Sequence, residues 1–258
     1  KDDPAIVLSE LKNESDLFTQ PPVLEPYRSR LEGMYRSWAD SQGCQVGPGK
    51  VDFAKPDGQI ARFLYQVQVD YYRTMIDHLR DIGVKVPVNG TNWPTRLGVL
   101  ASQLATDFTD SHWYWAFPFW EEERGTDSIP MVGEARNIFS TIAFERVLNK
   151  PFFISEWDQA WPDEWRAESP LPFAAFAALQ GWGGVIIHAY RYSTWTPQDR
   201  IGGGASTING ITYRNHFDTY NDPAKFGLFY HAALLYRRGD VREAEQTCEI
   251  RITDDGNG

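Results

Sequence analysis

The sequence predicts an α/β chain built on parallel strands, and three observations predict it. Short, β-branched apolar runs alternate with longer stretches of helical periodicity along the 258 residues. Each apolar run ends in a cluster of polar and aromatic residues, where parallel α/β sheets open their binding crevice. A hydrophobic content of 42% allows a large core at this length.

The first run, Ala5 to Leu11, ends in Lys12-Asn13-Glu14-Ser15. A helix-like stretch follows from Tyr27 to Asp40, and then a Gly/Pro-rich loop from Gln42 to Gly58. From Gln59 to Ile82 the residues Ile60, Phe63, Leu64, Val67, Tyr71, Met75 and Leu79 recur at helical spacing, and Gly83 stands where a C-terminal cap is expected. The second strand, Lys85 to Val88, ends in Asn89-Gly90-Thr91-Asn92-Trp93, with a short helix from Thr95 to Ser102. The third, Leu104 to Phe108, ends in Thr109-Asp110-Ser111-His112-Trp113-Tyr114-Trp115 and leads through a long loop to a helix from Glu134 to Leu148. The fourth, Pro151 to Ser155, ends in Glu156-Trp157 and is followed by a helix from Pro172 to Leu179. The fifth, Gly184 to His188, ends in Ala189-Tyr190-Arg191-Tyr192. A polar, Gly-rich loop from Ser193 to Pro223 precedes the last helix, Ala224 to Arg237. Residues 1–242 read as one α/β unit, the C-terminal part of a larger barrel if the sheet is incomplete; 243–258 read as a tail whose weak alternation from Glu245 to Thr253 suits the start of a β-domain.

Five strand ends would thus deliver Glu14, Asn92, Asp110, His112, Glu156 and Tyr190 to one face. Five strands fit either an open sheet or the C-terminal part of a larger barrel. The formal charge of −10 argues against nucleic acid, whose phosphates need a basic surface. No apolar run is long enough to span a bilayer, so no membrane partner is expected. The first residues lack a signal-peptide pattern, as expected of a cytosolic chain or one whose leader was removed. Cys44 and Cys248 fit no zinc or redox spacing, and two thiols or one disulfide are both allowed. Asp110-x-His112 lacks the further ligands a metal needs, so neither metal nor cofactor is expected. The sequons at Asn13 and Asn89 read as chance matches beside the site, and Gly202-Gly203-Gly204 as a flexible loop rather than a phosphate loop. An aromatic content of 14%, with ten Trp, suits stacking on the C–H faces of sugar rings.

Two glutamates at the ends of parallel strands suit cleavage of a glycosidic bond. One carboxylic acid protonates the leaving oxygen, and the other, ionised, attacks the anomeric carbon from the opposite face; in retaining enzymes the carboxyls lie about 5–5.5 Å apart.

Asn13-Glu14 looks like the pair that closes the fourth strand of clan A glycoside hydrolases, retaining enzymes with a (β/α)8 TIM barrel. Ile154-Ser155-Glu156-Trp157 resembles the clan's seventh-strand nucleophile segment. The resemblance covers residues 4–238 and implies an incomplete barrel, its five parallel strands corresponding to strands four to eight. It implies Glu14 as acid/base, Glu156 as nucleophile and Asn13 as partner of a sugar 2-hydroxyl. Asp110, His112 and Tyr114 would bind sugar or hold Glu156, and Trp195 would be a sugar platform. Asn92, Trp93, Trp157 and Tyr190 complete the expected substrate-binding set, with Trp120, Trp161 and Trp165 as outer platforms and Glu121, Glu122, Glu123, Asp158 and Glu164 lining the cleft. The implied substrate is a β-linked oligo- or polysaccharide, and the implied location is secreted or cell-envelope associated. With strands one to three absent, the chain alone is expected to be inactive and to need an N-terminal segment of the same barrel. The alternative is a non-catalytic carbohydrate-binding or structural barrel fragment.

Overall fold

The computed structural model describes residues 3–94, 96–115, 128–135, 137–191, 205–208 and 211–253, with the backbone alone at 205–208 and 211–215. The chain folds as two compact units. One holds Lys1–Asp110, Val147–Lys150 and Glu249–Gly258; the other holds Ser111–Arg146 and Pro151–Cys248.

In the first unit β1 (Ser9–Lys12) pairs in parallel with β2 (Val88–Thr91), placing Ser9 against Val88 and Lys12 against Thr91. α1 (Tyr27–Ser41) and α2 (Gly58–Asp81) follow β1, and α3 (Leu97–Ser102) follows β2. α2 starts where the Asp57 carboxylate accepts the Ile60 N–H at 2.8 Å, satisfying a donor that the first turn leaves unpaired. It stops just before Gly83, which adopts φ +90° as its position leads one to expect. The apolar stripe of α2 buries Ile60, Phe63 and Leu64 against Phe18, Leu31, Tyr35 and Val99. β2 lies so close to Tyr72 that a Cβ on Gly90 would stand 2.4 Å from its ring, so only glycine fits there.

The second unit is built on a three-stranded sheet of order β3-β4-β5. β3 (Thr109–Trp115) begins in the first unit; β4 (Phe152–Gln159) and β5 (Gly184–Ile187) run parallel. α4 (Ile138–Glu145), α5 (Pro170–Gln180) and α6 (Pro223–Arg238) complete the unit with an antiparallel pair, β6 (Ala205–Ile208) and β7 (Ile211–Asn215). Phe152, Ile154 and Trp157 of β4 enter a core with Phe139, Ile142, Phe173 and Trp182.

The α/β class agrees with the sequence, but the expected five-stranded barrel sheet does not form. The parallel strands divide into separate sheets of two and three, and no closed sheet exists among the described residues. Side chains account for much of the division. Beside β2 they take hydrogen bonds that a neighbouring strand's backbone would otherwise make, and a backbone contact there runs from the Asp107 N–H to the Val88 carbonyl at 3.0 Å. The Gln103 amide, fully buried, donates to the carbonyls of Thr91 at 2.8 Å and Asp110 at 3.1 Å and accepts the Asp110 N–H at 2.9 Å. The Val88 N–H goes to the Asp107 carboxylate at 2.8 Å, and Asn89 donates to the Thr91 carbonyl at 2.7 Å. These amides and carboxylates fill the ladder positions that a continuous sheet requires.

Two expected strands are displaced for the same reason. The second lies at Val88–Thr91, and its Asn89 and Thr91 are fully buried. The third lies at Thr109–Trp115, whereas Leu104 sits half exposed in a 3-10 turn. The loop expected from Ser193 to Pro223 contains β6 and β7. Residues 245–253 form no strand. Cys44 and Cys248 are free thiols. No helix among the described residues is long and apolar enough to cross a membrane.

Candidate functional site

Glu156 lies inside β4 rather than beyond its end. A register shift in the β4–β5 pairing re-aims it: Ile154 faces Val185, but Trp157 faces Ile187, so three steps on β4 oppose two on β5. Without the extra residue, alternation would put Glu156 on the core face with Phe152 and Ile154. With it, Trp157 takes that face and Glu156 keeps a side chain 23% exposed.

Three donor-bearing side chains of this unit surround that carboxylate. The Tyr114 hydroxyl donates to Glu156 Oε2 at 2.5 Å. His112 Nδ1 lies 3.5 Å from the same oxygen, and His188 Nδ1 lies 3.8 Å from Oε1. On its other side His112 Nε2 is 2.8 Å from Ser155 Oγ. Phe217 packs on Tyr114 and His188, with ring centroids 5.5 and 5.1 Å away, and helps hold both rings. Tyr114 and His112 project from the same side of β3, two residues apart. Oε2 therefore accepts from the Tyr114 hydroxyl and faces the His112 ring, while Oε1 faces His188.

Behind β3 is a buried acid. Glu145, at the end of α4, accepts from Ser111 Oγ at 2.5 Å and Trp113 Nε1 at 2.7 Å. Burial raises its pKa to about 7, against the pull of those two donors. The folded chain thus binds a proton that an unfolded glutamate, with its model value of 4.5, releases. Stability from this group is present below pH 4.5, falls as pH rises, and is lost above about 7, a change of about 3 kcal/mol. Urea unfolding at pH 5 and pH 8 should show Glu145→Gln gaining that amount on the wild type at the higher pH. Parallel pH dependences would contradict the assignment.

Below the site, Lys225 of α6 forms a buried ion pair with Asp158 and donates to the Gln159 carbonyl at 3.1 Å. Burial pushes the Asp158 carboxyl upward while Lys225 pulls it down. The pair fastens the end of β4, just beyond Glu156, to the start of α6.

In the first unit Glu14 follows β1 with φ +44°, a left-handed conformation rare outside glycine. Its backbone N–H donates to Asn92 Oδ1 at 2.8 Å. The amide of the buried Asn92 donates in turn to Glu10 Oε2 at 2.6 Å and Asn13 Oδ1 at 3.1 Å. Asn89 reaches the other oxygen of Glu10 at 3.3 Å. One amide thus ties the turn carrying Glu14 to β1.

The sequence-derived candidates are drawn from both units. Asn13, Glu14 and Asn92 form one group in the first unit; His112, Tyr114 and Glu156 form another in the second. Asp110 is fully buried in the first unit, with its backbone bonded to Gln103. Trp93 is partly buried. Trp157, expected to bind substrate, is instead a core residue. It is 1% exposed and stacks on Phe173 at 4.0 Å, because the bulge turns it inward. Asp158, expected in the cleft, is fully buried on Lys225. Tyr190 is exposed and packs against Tyr220 and Phe226. Trp165 is exposed, and Arg166 lies over the Trp161 ring at 4.7 Å. Trp120, Glu121, Glu122, Glu123 and Trp195 lie outside the described residues. Sequence reasoning missed Ser155, His188 and Phe217; only the adjacency of Ser155 to Glu156 and the strand-end place of His188 pointed to them. Asn89, within one of the chance sequons, is fully buried. No protein-family model, curated protein or solved structure matches the chain.

Proposed function

We propose that the protein is a retaining glycoside hydrolase acting on a β-linked oligo- or polysaccharide, with Glu156 as nucleophile and Glu14 as acid/base. The observation that carries this reading is the set of groups around Glu156. A partly exposed carboxylate that accepts from a tyrosine hydroxyl on one oxygen, with an imidazole facing the same oxygen, is oriented for attack. A carboxylate kept only for stability needs no such orientation and no exposure. The resemblance of the Asn13-Glu14 and Ile154-Glu156 segments to clan A supports the same roles.

With Oε2 held by Tyr114 and His112, Oε1 makes the bond to the anomeric carbon while Glu14 gives its proton to the leaving oxygen. Glu14 then takes a proton from the water that frees the sugar. Asn92, by fixing the turn that carries Glu14, orients the acid, and Asn13 is placed to meet a sugar hydroxyl. The reaction uses two carboxyls and needs no cofactor. Its substrate class suits a secreted or envelope-associated protein.

The test is hydrolysis of a panel of aryl β-glycosides and β-glucans, with the first-formed anomer followed by proton NMR. The β-anomer is expected to appear first and then mutarotate. First appearance of the α-anomer, or no hydrolysis across the panel, would overturn the reading.

A further inference from the structure

Ser155 stands beside the proposed nucleophile, and no role has yet been given to it. Its hydroxyl oxygen is 2.8 Å from His112 Nε2, while the opposite ring nitrogen, Nδ1, faces Glu156 Oε2 at 3.5 Å. A carboxylate can only accept hydrogen bonds, so the nitrogen that faces it must carry the proton. In a neutral imidazole Nε2 is then a lone pair, and it needs a donor. Water has little access, because the His112 side chain is 1% exposed. Ser155 is placed to supply that donor.

We propose that Ser155 is a positioning residue: its hydroxyl donates to His112 Nε2 and so holds the ring in the Nδ1–H tautomer that grips Glu156. The opposite tautomer would put a bare nitrogen against a carboxylate, two acceptors facing each other. The β4 bulge makes the arrangement local, because it brings consecutive residues 155 and 156 to the two nitrogens of one ring. This inference deepens the proposed glycosidase site but concerns a tautomer, which is measurable without turnover.

The chain has only five histidines, so side-chain long-range ¹H–¹⁵N correlation spectra of ¹⁵N-histidine-labelled protein are tractable, with His112→Gln assigning the signal. His112 is expected as the Nδ1–H form in the wild type and in Ser155→Thr, which keeps the hydroxyl. In Ser155→Ala the signal is expected to move towards the Nε2–H form. On whichever glycoside the protein cleaves, Ser155→Ala should lower kcat about tenfold with KM little changed, and Ser155→Thr should restore it. An Nε2–H ring in the wild type, or the same tautomer in Ser155→Ala as in the wild type, overturns the proposal even if the protein is a glycosidase. Covalent labelling of Ser155 by a fluorophosphonate would also overturn it, since Ser155 would then be a nucleophile on His112. If the tautomer behaves as expected but no glycoside is cleaved, the positioning role stands and the glycosidase reading falls.

Discussion

Replacing Glu156 with alanine is expected to lower turnover by about 10⁴-fold or more, or at least about 5 kcal/mol of transition-state stabilisation. The effect is large because, in the proposed mechanism, this residue forms the bond on which the first step depends. Tyr114, His112 and His188 are held as its partners rather than as alternatives. The fold should survive, since the Glu156 side chain is 23% exposed and its removal opens no sealed cavity. Circular dichroism and the unfolding midpoint should stay close to the wild type. Glu14→Ala should behave differently. Its loss should be severe on substrates with poor leaving groups and mild on dinitrophenyl glycosides, which depart without a proton. Steady-state kinetics on both substrate types check the pair. A Glu156→Ala enzyme within tenfold of the wild type would remove the residue from the mechanism.

Breaking the Asp158–Lys225 pair should have the largest effect on stability. Lys225 is 3% exposed and Asp158 fully buried, so Lys225→Met leaves a carboxylate without its counter-ion in a medium that cannot solvate it. Removing one partner of such a pair costs about 3–5 kcal/mol. The unfolding midpoint should fall by roughly 10 °C for a chain of this size. The variant Asp158→Leu/Lys225→Met should recover most of the loss, because apolar side chains of similar volume remove both desolvation costs. Because Lys225 also holds the Gln159 carbonyl, Lys225→Met should disturb the end of β4 and raise KM. Urea unfolding of the single and double variants checks this. A single variant within 1 kcal/mol of the wild type, or a double variant worse than the single, would contradict it.

What the sequence made legible depended on where polarity lies. The long helices were plain. α2 runs from Gly58 to Asp81 and was read from Gln59 to Ile82, because a 3.6-residue apolar stripe and the glycine after it agree. The strands were legible only where their interior is apolar. β4 and β5 were found nearly in place, since Phe152, Ile154, Val185 and Ile187 are what a core strand presents. The ends of β2 and β3 were misplaced by three to seven residues because Asn89, Thr91, Asp110, Ser111 and His112 are buried polar groups, and apolar patterning skips them. The division into two sheets was invisible for a related reason. Gln103 reads as an ordinary helix residue, and nothing local says that its amide will occupy the edge of β2.

The site was legible in part. Glu156, Tyr114 and His112 were selected from strand ends, and they meet. Trp157 was selected on the same grounds and lies in the core, because a bulge moves it by one residue and so to the opposite face. A β-bulge leaves no mark in an alternation pattern read from one strand alone, since it is defined by the partner. Ser155 and His188 were passed over because small or single polar residues at a strand end have many structural uses.

The central claim is that Glu156 forms a covalent bond to sugar. Incubation with activated 2-deoxy-2-fluoro β-glycosides, in several sugar configurations, slows the second step of a retaining enzyme and lets the intermediate accumulate. Mass spectrometry of the intact protein should then show one added fluorosugar, and peptic digestion should place it on the segment containing Glu156. Glu156→Gln should take up none. A fluorosugar carried on any other residue, or none from any configuration under conditions in which the protein turns over the parent glycoside, would contradict the account.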